Sequence, residues 1–181
     1  MDKFVIEGQH ELIGEVRVSG AKNAVLPIMT ACLLWPGKYR LTNVPDLRDT
    51  RTMVRLLEMT GAVVTFNKHV ITIDSGPVDK PVATYDLVKT MRASFYALGP
   101  LLARFGKCKV SLPGGCNWGP RPVDLHLKAI EALGANISLE GGYIHATGQL
   151  RGSTIEFPIS SVGATGNALM AAARAEGETI I

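Results

Sequence analysis

The chain has 181 residues, 46% of them hydrophobic, which is enough for one substantial core or two small ones. The chain has 19 lysines and arginines and 16 aspartates and glutamates, a net charge of +3. It has no basic run and few aromatic residues, which argues against a nucleic-acid-binding surface. Binding of anionic small molecules is compatible with this composition. No apolar run reaches the length of a transmembrane helix, so we expect a globular protein with neither nucleic-acid nor membrane partners.

The cysteines indicate the redox environment. Cys32, Cys108 and Cys116 are odd in number and include no C-x-x-C pair, and no secretory signal precedes them. This pattern favours a reducing cytoplasm over a disulfide framework. We therefore expect a cytoplasmic protein, and we expect neither a metal nor a cofactor.

The first elements lead to a helix that begins with polar residues. Phe4–Glu7 and Gly14–Ser19 are predicted to be two short strands joined by a polar turn. The apolar run Val25–Leu34 then predicts a buried helix. Lys22 and Asn23 fall at its start, where free backbone N–H groups favour an anion; alternatively, Lys22 is a solvated surface lysine.

From that helix onward, the elements occur in the same order twice. Each round contains an apolar helix, a glycine-led strand, an amphipathic helix that stops at a glycine, and a hairpin. The first round consists of Val25–Leu34, Gly37–Leu41, Asp49–Met59, and Ala62–Phe66 with His69–Ile73. The second consists of Phe95–Arg104, Gly106–Val110, Leu125–Leu133, and Asn136–Leu139 with Tyr143–Ala146. A third round begins with Asn167–Ala175 and Gly177–Ile181, so we interpret the chain as an internal repeat.

Glycine spacings give the period of this repeat. Gly37 and Gly106 are 69 residues apart, Gly61 and Gly134 are 73 apart, and Gly106 and Gly177 are 71 apart. The third unit stops before its second helix and hairpin. We therefore expect the chain to be a fragment, or a partner chain to supply the rest.

The same spacing aligns the residues that precede the three apolar helices. Lys22-Asn23, Met91-Arg92 and Val162-Gly163 occupy equivalent places. Three helix N-termini would then converge, and their dipoles together with Lys22 and Arg92 would form an anion site. The alternative for Arg92 alone is a surface ion pair.

A loop rich in glycine and proline runs from Leu112 to Asp124. Gly114 and Gly115 allow the backbone to approach a ligand closely, Arg121 offers a fork suited to carboxylate or phosphate, and Asp124 can cap the following helix. Cys116 lies near the middle, where Arg121 and that helix could lower its pKa. The alternative is that Cys116 is an inert small apolar residue.

Five motifs carry a resemblance to a known family: Ser-Gly-Ala-Lys-Asn-Ala at 19–24, Lys-Thr-Met-Arg-Ala-Ser at 89–94, Leu-Pro-Gly-Gly-Cys at 112–116, Gly-Pro-Arg-Pro-Val-Asp-Leu-His at 119–126 and Ser-Val-Gly-Ala-Thr at 161–165. The chain resembles the UDP-N-acetylglucosamine 1-carboxyvinyltransferase family of enolpyruvyl transferases over essentially its whole length. Members are longer, so the resemblance implies an N-terminal portion, with the remaining half expected as a continuation of the chain.

The resemblance implies an α/β fold, an inside-out α/β barrel of the enolpyruvyl transferase type. Its α+β units of about 70 residues bury their helices and place their sheets outside. Residues 1–21 would be strands of the other globular domain. Residues 22–181 would be the domain with the cysteine loop, with two full repeat units and the start of a third.

The implied reaction transfers the enolpyruvyl group of phosphoenolpyruvate to the 3-hydroxyl of UDP-N-acetylglucosamine and releases phosphate, the first committed step of peptidoglycan synthesis. Cys116 matches the acid that protonates the methylene carbon, forms a covalent adduct with phosphoenolpyruvate and is the target of fosfomycin. Lys22 and Arg121 match residues that hold the phosphate and carboxylate, and Asn23 matches another phosphoenolpyruvate-site residue. The remaining matches are substrate-binding positions, several around the uridine nucleotide: Arg92, Arg121, Pro122, Val123, Asp124, Leu125, Ser161, Val162 and Gly163.

Two departures affect the contacts expected around the diphosphate. Phe157–Ser160 precedes Ser161 where some members place a lysine, and Gly166 stands where others have a larger residue. The family's aspartate base and further arginines match nothing in this sequence. We therefore expect this chain alone to turn over little or nothing.

Other functional interpretations remain open. The chain could be similar to 5-enolpyruvylshikimate-3-phosphate synthase, which is not expected to carry this cysteine loop. It could also be a non-catalytic nucleotide-sugar-binding module, or a folding fragment without a function. His126 is expected on a helix surface, and Trp118 could serve only to pack the loop.

Overall fold

The protein is described by a computed structural model over residues 3–9, 11–89, 91–112 and 123–181. The helices are α1 (Lys22–Ala31), α2 (Arg48–Met59), α3 (Tyr85–Val88), a 3₁₀ segment (Arg92–Ala97), α4 (Leu98–Phe105), α5 (Asp124–Ala132) and α6 (Val162–Ala172). The strands are β1 (Lys38–Leu41), β2 (Val63–Asn67), β3 (Val70–Asp74), β4 (Val82–Ala83), β5 (Lys107–Ser111), β6 (Asn136–Glu140) and β7 (Tyr143–Thr147).

Two sheets share one pairing scheme. The first has the order β1-β3-β2 and is antiparallel throughout. The second has the order β4-β5-β7-β6, with β4 parallel to β5 and the other pairs antiparallel. In each sheet the second strand of the hairpin lies between its partner and the glycine-led strand. This common arrangement agrees with the predicted repeat, although the short β4 and α3 were not predicted.

The core lies among the helices. Met29 of α1, Leu98 and Leu101 of α4, and Ala168 of α6 are fully buried. Helix α4 packs on α6 and α5, in turn, packs on α6, while α1 contacts the 3₁₀ segment. Strand β2 alternates exposed and half-buried residues, as expected for a sheet with one face toward solvent. The helices are therefore inside and the sheets outside.

Helix α6 and two isolated bridges represent the third unit. Parallel bridges join Arg151 to Glu176 and Thr154 to Ile180, as β4 joins β5 in the second unit. The predicted strand over Gly177–Ile181 is therefore reduced to single bridges. The physical reason is that the described residues supply it with no antiparallel neighbour equivalent to β7.

One predicted helix, over Phe95–Arg104, changes type between Ala97 and Leu98. In a regular α-helix the Gly99 N–H would donate to the Phe95 carbonyl. Here it donates to Oδ1 of Asn167 at 2.8 Å, and Nδ2 of Asn167 donates to the Phe95 carbonyl at 3.1 Å. Pro100 has no N–H to offer the next carbonyl. The inserted Asn167 side chain thus explains the change from the 3₁₀ segment to α4 and joins this junction to α6.

The N-terminal segment differs from its sequence prediction. The structure forms no strand within residues 3–9 and 11–21, where Phe4 is 98% and Leu12 95% exposed. A strand needs a hydrogen-bonded neighbour, and the described chain provides none for this segment. The assignment of residues 1–21 to another domain remains a prediction.

The close approach of α4 and α6 can be tested at Gly99. A Cβ atom there would lie 2.6 Å from both the backbone oxygen and Oδ1 of Asn167. We expect Gly99→Ala to lower the free energy of unfolding by about 1–3 kcal/mol, the usual cost of overpacking, measured by urea denaturation. Gly37→Ala is the control, because its Cβ would only reach the Tyr39 ring at 3.4 Å. Equal effects of the two substitutions would contradict this role of Gly99.

Candidate functional site: a cavity at three helix N-termini

A cavity of about 580 Å³ lies where three helical segments begin. Lys22 and Asn23 line it from the start of α1, Arg92 from the start of the 3₁₀ segment, and Val162 and Gly163 from the start of α6. The predicted convergence of the three N-termini is therefore confirmed. Because the helix dipoles end at one place, the cavity favours negative charge.

The three helix starts differ in how their backbone N–H groups are capped. Ser161 precedes α6 and accepts a hydrogen bond from the Ala164 N–H through its Oγ, at 3.3 Å. Ala21 precedes α1 and Met91 precedes the 3₁₀ segment, and within the described residues no side chain caps either start. Backbone donors of these two segments are therefore left for a ligand or solvent.

The two cations of the cavity have different surroundings. Lys22 Nζ lies 2.9 Å from Oδ2 of Asp49, in the first turn of α2, and both side chains are partly exposed. Lys22 is therefore an ion-paired cavity residue rather than a solitary surface lysine. Arg92 is exposed, and no carboxylate of the described residues pairs with it. Its charge adds directly to the positive field of the cavity.

His126 lies inside the site, contrary to the prediction that it is a helix-surface residue. It is 5% exposed, because its side of α5 packs on α6, and its ring meets Phe95 edge-to-face at 5.0 Å between centroids. Its Nδ1 lies 3.1 Å from Nδ2 of Asn167. Burial, followed by the positive charge of Arg92, lowers the pKa of His126 to about 4. The ring is therefore neutral near pH 7.

Two glycines make room for aromatic rings at the cavity. A Cβ atom on Gly163 would lie 3.1 Å from Cε1 and 3.2 Å from Nε2 of His126. A Cβ atom on Gly166 would lie 2.9 Å from Cε1 of Tyr96. The Tyr96 ring thus takes the space that a larger residue at 166 would need. Burial also raises the pKa of Tyr96, so its hydroxyl keeps its proton near neutral pH.

The predicted site residues fall into three groups. Lys22, Asn23, Arg92, Val123, Ser161, Val162 and Gly163 line the cavity. Asp124 and Leu125 do not line the cavity. Asp124 is exposed and is the first residue of α5, so it does not cap this helix, which Val123 precedes. Leu125 is half-buried. Cys116, Arg121 and Pro122 lie outside the described residues. Sequence reasoning assigned no site role to Asp49, Tyr96, His126 and Asn167. His126 ends the motif at 119–126, whereas the other three belong to none of the five motifs.

The chemistry of the other described residues is limited. Burial raises the pKa of Cys32 to about 11 and that of Cys108 to about 12, so both thiols stay protonated and unreactive near neutral pH. Among the residues that the structure describes, no group of three or more His, Cys, Asp or Glu side chains is placed to hold a metal ion. No helix in this part of the chain has the length and apolarity needed to cross a bilayer.

Comparison with known proteins identifies the family. Residues 6–181 match the family described as EPSP synthase (3-phosphoshikimate 1-carboxyvinyltransferase). The chain belongs to the EPSP synthase family. Two relatives named UDP-N-acetylglucosamine 1-carboxyvinyltransferase, from Chlorobium limicola and Prosthecochloris aestuarii, are 55% and 56% identical to it. Each comparison covers all of this chain and 44% of the relative, so the chain spans less than half the length of these curated relatives.

Two solved structures agree with the fold. The enolpyruvyl transferase NikO from Streptomyces tendae is 25% identical, with a TM-score of 0.78 over 95% of this chain and 41% of its own. An EPSP synthase from Acinetobacter baumannii is 21% identical, with a TM-score of 0.69 over 92% of this chain and 39% of its own. The latter similarity concerns the fold alone.

The buried histidine predicts a pH dependence of stability. Between the ordinary pKa of 6.5 and the folded value of about 4, the unfolded chain binds a proton at residue 126 that the folded chain does not bind. The free energy of unfolding should therefore decrease as the pH falls through this window, by up to about 3 kcal/mol from this group. His126→Gln should remove that contribution, measured as the difference between the two urea-denaturation pH profiles. Parallel profiles would show that His126 titrates alike in both states.

Proposed function

We propose that this chain forms the anion-binding and thiol-bearing part of a UDP-N-acetylglucosamine 1-carboxyvinyltransferase. The observation that carries the proposal is the cavity at which three helical N-termini meet Lys22 and Arg92. Phosphoenolpyruvate and UDP-N-acetylglucosamine are both anionic, so this field suits both. The names of relatives that are 52–56% identical support the choice of the sugar nucleotide as acceptor.

The proposed reaction proceeds by addition and elimination. A proton is delivered to the methylene carbon of phosphoenolpyruvate, the 3-hydroxyl oxygen of the sugar attacks the central carbon, and the hydroxyl proton is removed. Loss of a proton from the methyl carbon then expels phosphate and restores the double bond. Cys116 is the proposed acid of the first step, as its family match implies, and no cofactor is required.

The cations are proposed to hold the charged groups of the substrates. Lys22 and Arg121 would contact the phosphate and carboxylate of phosphoenolpyruvate, with Asn23 beside them. Asp49 holds the Lys22 ammonium at the cavity. Arg92, Ser161, Val162 and Gly163 are proposed to line the nucleotide-sugar part of the same site. We propose the cytoplasm as the location, which agrees with the two free buried thiols, Cys32 and Cys108.

A second candidate function is a nucleotide-sugar-binding module without catalysis. It is favoured by the lining of the cavity: among the described residues Asp49 is the only carboxylate there, and it pairs with Lys22, whereas the proposed chemistry needs a base for the sugar hydroxyl. Binding of UDP-N-acetylglucosamine by this chain without formation of phosphate would support the module. Release of phosphate from both substrates together would support the enzyme.

The contribution of the two cations can be measured directly. Arg92→Ala should weaken the binding of UDP-N-acetylglucosamine and Lys22→Ala should weaken the binding of phosphoenolpyruvate, each by about tenfold or more, since a hydrogen bond to a charged group contributes about 1.5–3 kcal/mol. Isothermal titration calorimetry gives the Kd. Lys38→Ala is the matched control, because this β1 lysine is 81% exposed and pairs with Asp74 outside the cavity. Equal weakening by all three substitutions would contradict a site at these helix starts.

The proposed thiol chemistry predicts selective labelling. Fosfomycin should add once per chain, at Cys116, because burial keeps Cys32 and Cys108 protonated. Intact-protein mass with and without UDP-N-acetylglucosamine measures the addition, and Cys116→Ala is the control. Labelling that persists in Cys116→Ala would assign the reactive thiol to another cysteine and refute this role of Cys116.

A further inference from the structure

The side chain of Asn167 has an orientation that its partners determine. It is fully buried in α6, its Oδ1 lies 2.8 Å from the Gly99 nitrogen, and its Nδ2 lies 3.1 Å from the Phe95 carbonyl oxygen. A backbone N–H can only donate and a carbonyl can only accept. The amide oxygen must therefore face Gly99 and the amide nitrogen must face Phe95, which settles the assignment that is otherwise ambiguous for asparagine.

This orientation determines the protonation of His126. The Asn167 Nδ2 also lies 3.1 Å from His126 Nδ1. Since Nδ2 carries hydrogens and no accepting lone pair, Nδ1 must accept and carry no proton. The neutral ring then holds its single proton on Nε2. In an imidazolium the Nδ1–H would face the N–H of the Asn167 amide, and the hydrogen bond between them would be lost.

The other edge of the ring belongs to the cavity. His126 and Gly163 both line it, and the position of a Cβ on Gly163 would be 3.2 Å from His126 Nε2. The N–H of Nε2 is therefore on the side of the start of α6, close to the place where the three helical segments begin. Phe95 covers one side of the ring edge-to-face and keeps it buried.

We propose that Asn167 is a positioning residue that holds His126 as a neutral hydrogen-bond donor, with its proton on Nε2, for an anionic oxygen of the ligand bound in the cavity. This deepens the proposed function, on which the identity of the ligand rests. A neutral Nε2–H donor would orient the ligand oxygen without adding a third cation beside Lys22 and Arg92.

The charged groups around His126 agree with a neutral ring. Arg92 faces it from the 3₁₀ segment and disfavours a second positive charge, whereas Asp124 on α5 favours one. The Tyr96 hydroxyl lies 4.0 Å from the position of a Cβ on Gly163, and Lys22 and Asp49 line the cavity from α1 and α2. Helix α6 contributes no ionisable side chain. Burial is the largest influence and, with Arg92, outweighs Asp124.

The first test is the tautomer of His126 in the unliganded chain. Long-range ¹H–¹⁵N NMR, with His126 assigned by its loss in His126→Gln, should show a neutral ring protonated on Nε2 at about pH 7 and titration only near pH 4. A proton on Nδ1, or titration near the ordinary value of 6.5, would overturn the proposal. This result is independent of any ligand.

The second test changes the donor into an acceptor. Asn167→Asp keeps the shape and the acceptor for the Gly99 N–H but places a carboxylate oxygen against Nδ1. We expect the proton to move to Nδ1 and the pKa of His126 to rise above its ordinary range. Asn23→Asp is the matched control, since it adds the same charge to the cavity lining without contact to His126 and should leave the proton on Nε2. An unchanged tautomer in folded Asn167→Asp would overturn the role of Asn167.

The third test adds UDP-N-acetylglucosamine and follows the same resonances. Binding should shift the Nε2–H signal of His126 and leave Nδ1 unprotonated. Binding detected by calorimetry with no change at Nε2 would overturn the donor role while the proposed function stands. Absence of binding would overturn the proposed ligand, and the tautomer in the unliganded chain would still decide whether Asn167 positions His126.

Discussion

The structure depends on one buried amide that substitutes for a backbone hydrogen bond. By accepting from the Gly99 N–H and donating to the Phe95 carbonyl, Asn167 satisfies the two groups that a continuous α-helix would have paired with each other. At this junction the chain passes from the 3₁₀ segment, whose first residue Arg92 lines the cavity, to α4. The same amide reaches His126, so a single side chain of α6 links α4, the 3₁₀ segment and α5.

The positive field of the cavity arises in part from the repeat. Each unit starts its inner helix at an equivalent place, so three sets of N–H groups point toward one volume whatever side chains they carry. Bringing Lys22 and Arg92 to that volume as well costs free energy through repulsion. Asp49 offsets part of this cost by pairing with Lys22 at 2.9 Å. A ligand anion must compete with that ion pair, so part of its binding energy is offset by the loss of the Asp49 contact.

The sequence predicted the repeat because its signals are local and periodic. Apolar runs, glycines such as Gly61 and Gly134 with positive φ, and alternating hairpins can be recognised within a few residues. The contacts that complete the site join residues far apart in sequence: Asn167 reaches back 68 residues to Gly99 and 41 to His126. Nothing around His126 distinguishes a surface histidine from a buried one until α5 packs on α6. The prediction of two N-terminal strands differs from the structure for a related reason, since a strand pattern in the sequence does not show whether a pairing partner is present.

A position at which two repeat units carry different residues shows which residue the packing of the core needs. Counting back from Gly134 to Gly61, the residue of α2 that corresponds to His126 is Met53, which is fully buried in the core. An apolar residue is thus sufficient to pack the inner face of this helix. A histidine there costs desolvation free energy unless both ring nitrogens form hydrogen bonds. The hydrogen bond between Asn167 and His126 satisfies one of them, Nδ1. Packing alone does not require a histidine at this position, and its place beside three helix N-termini fits a residue that trades stability for ligand recognition.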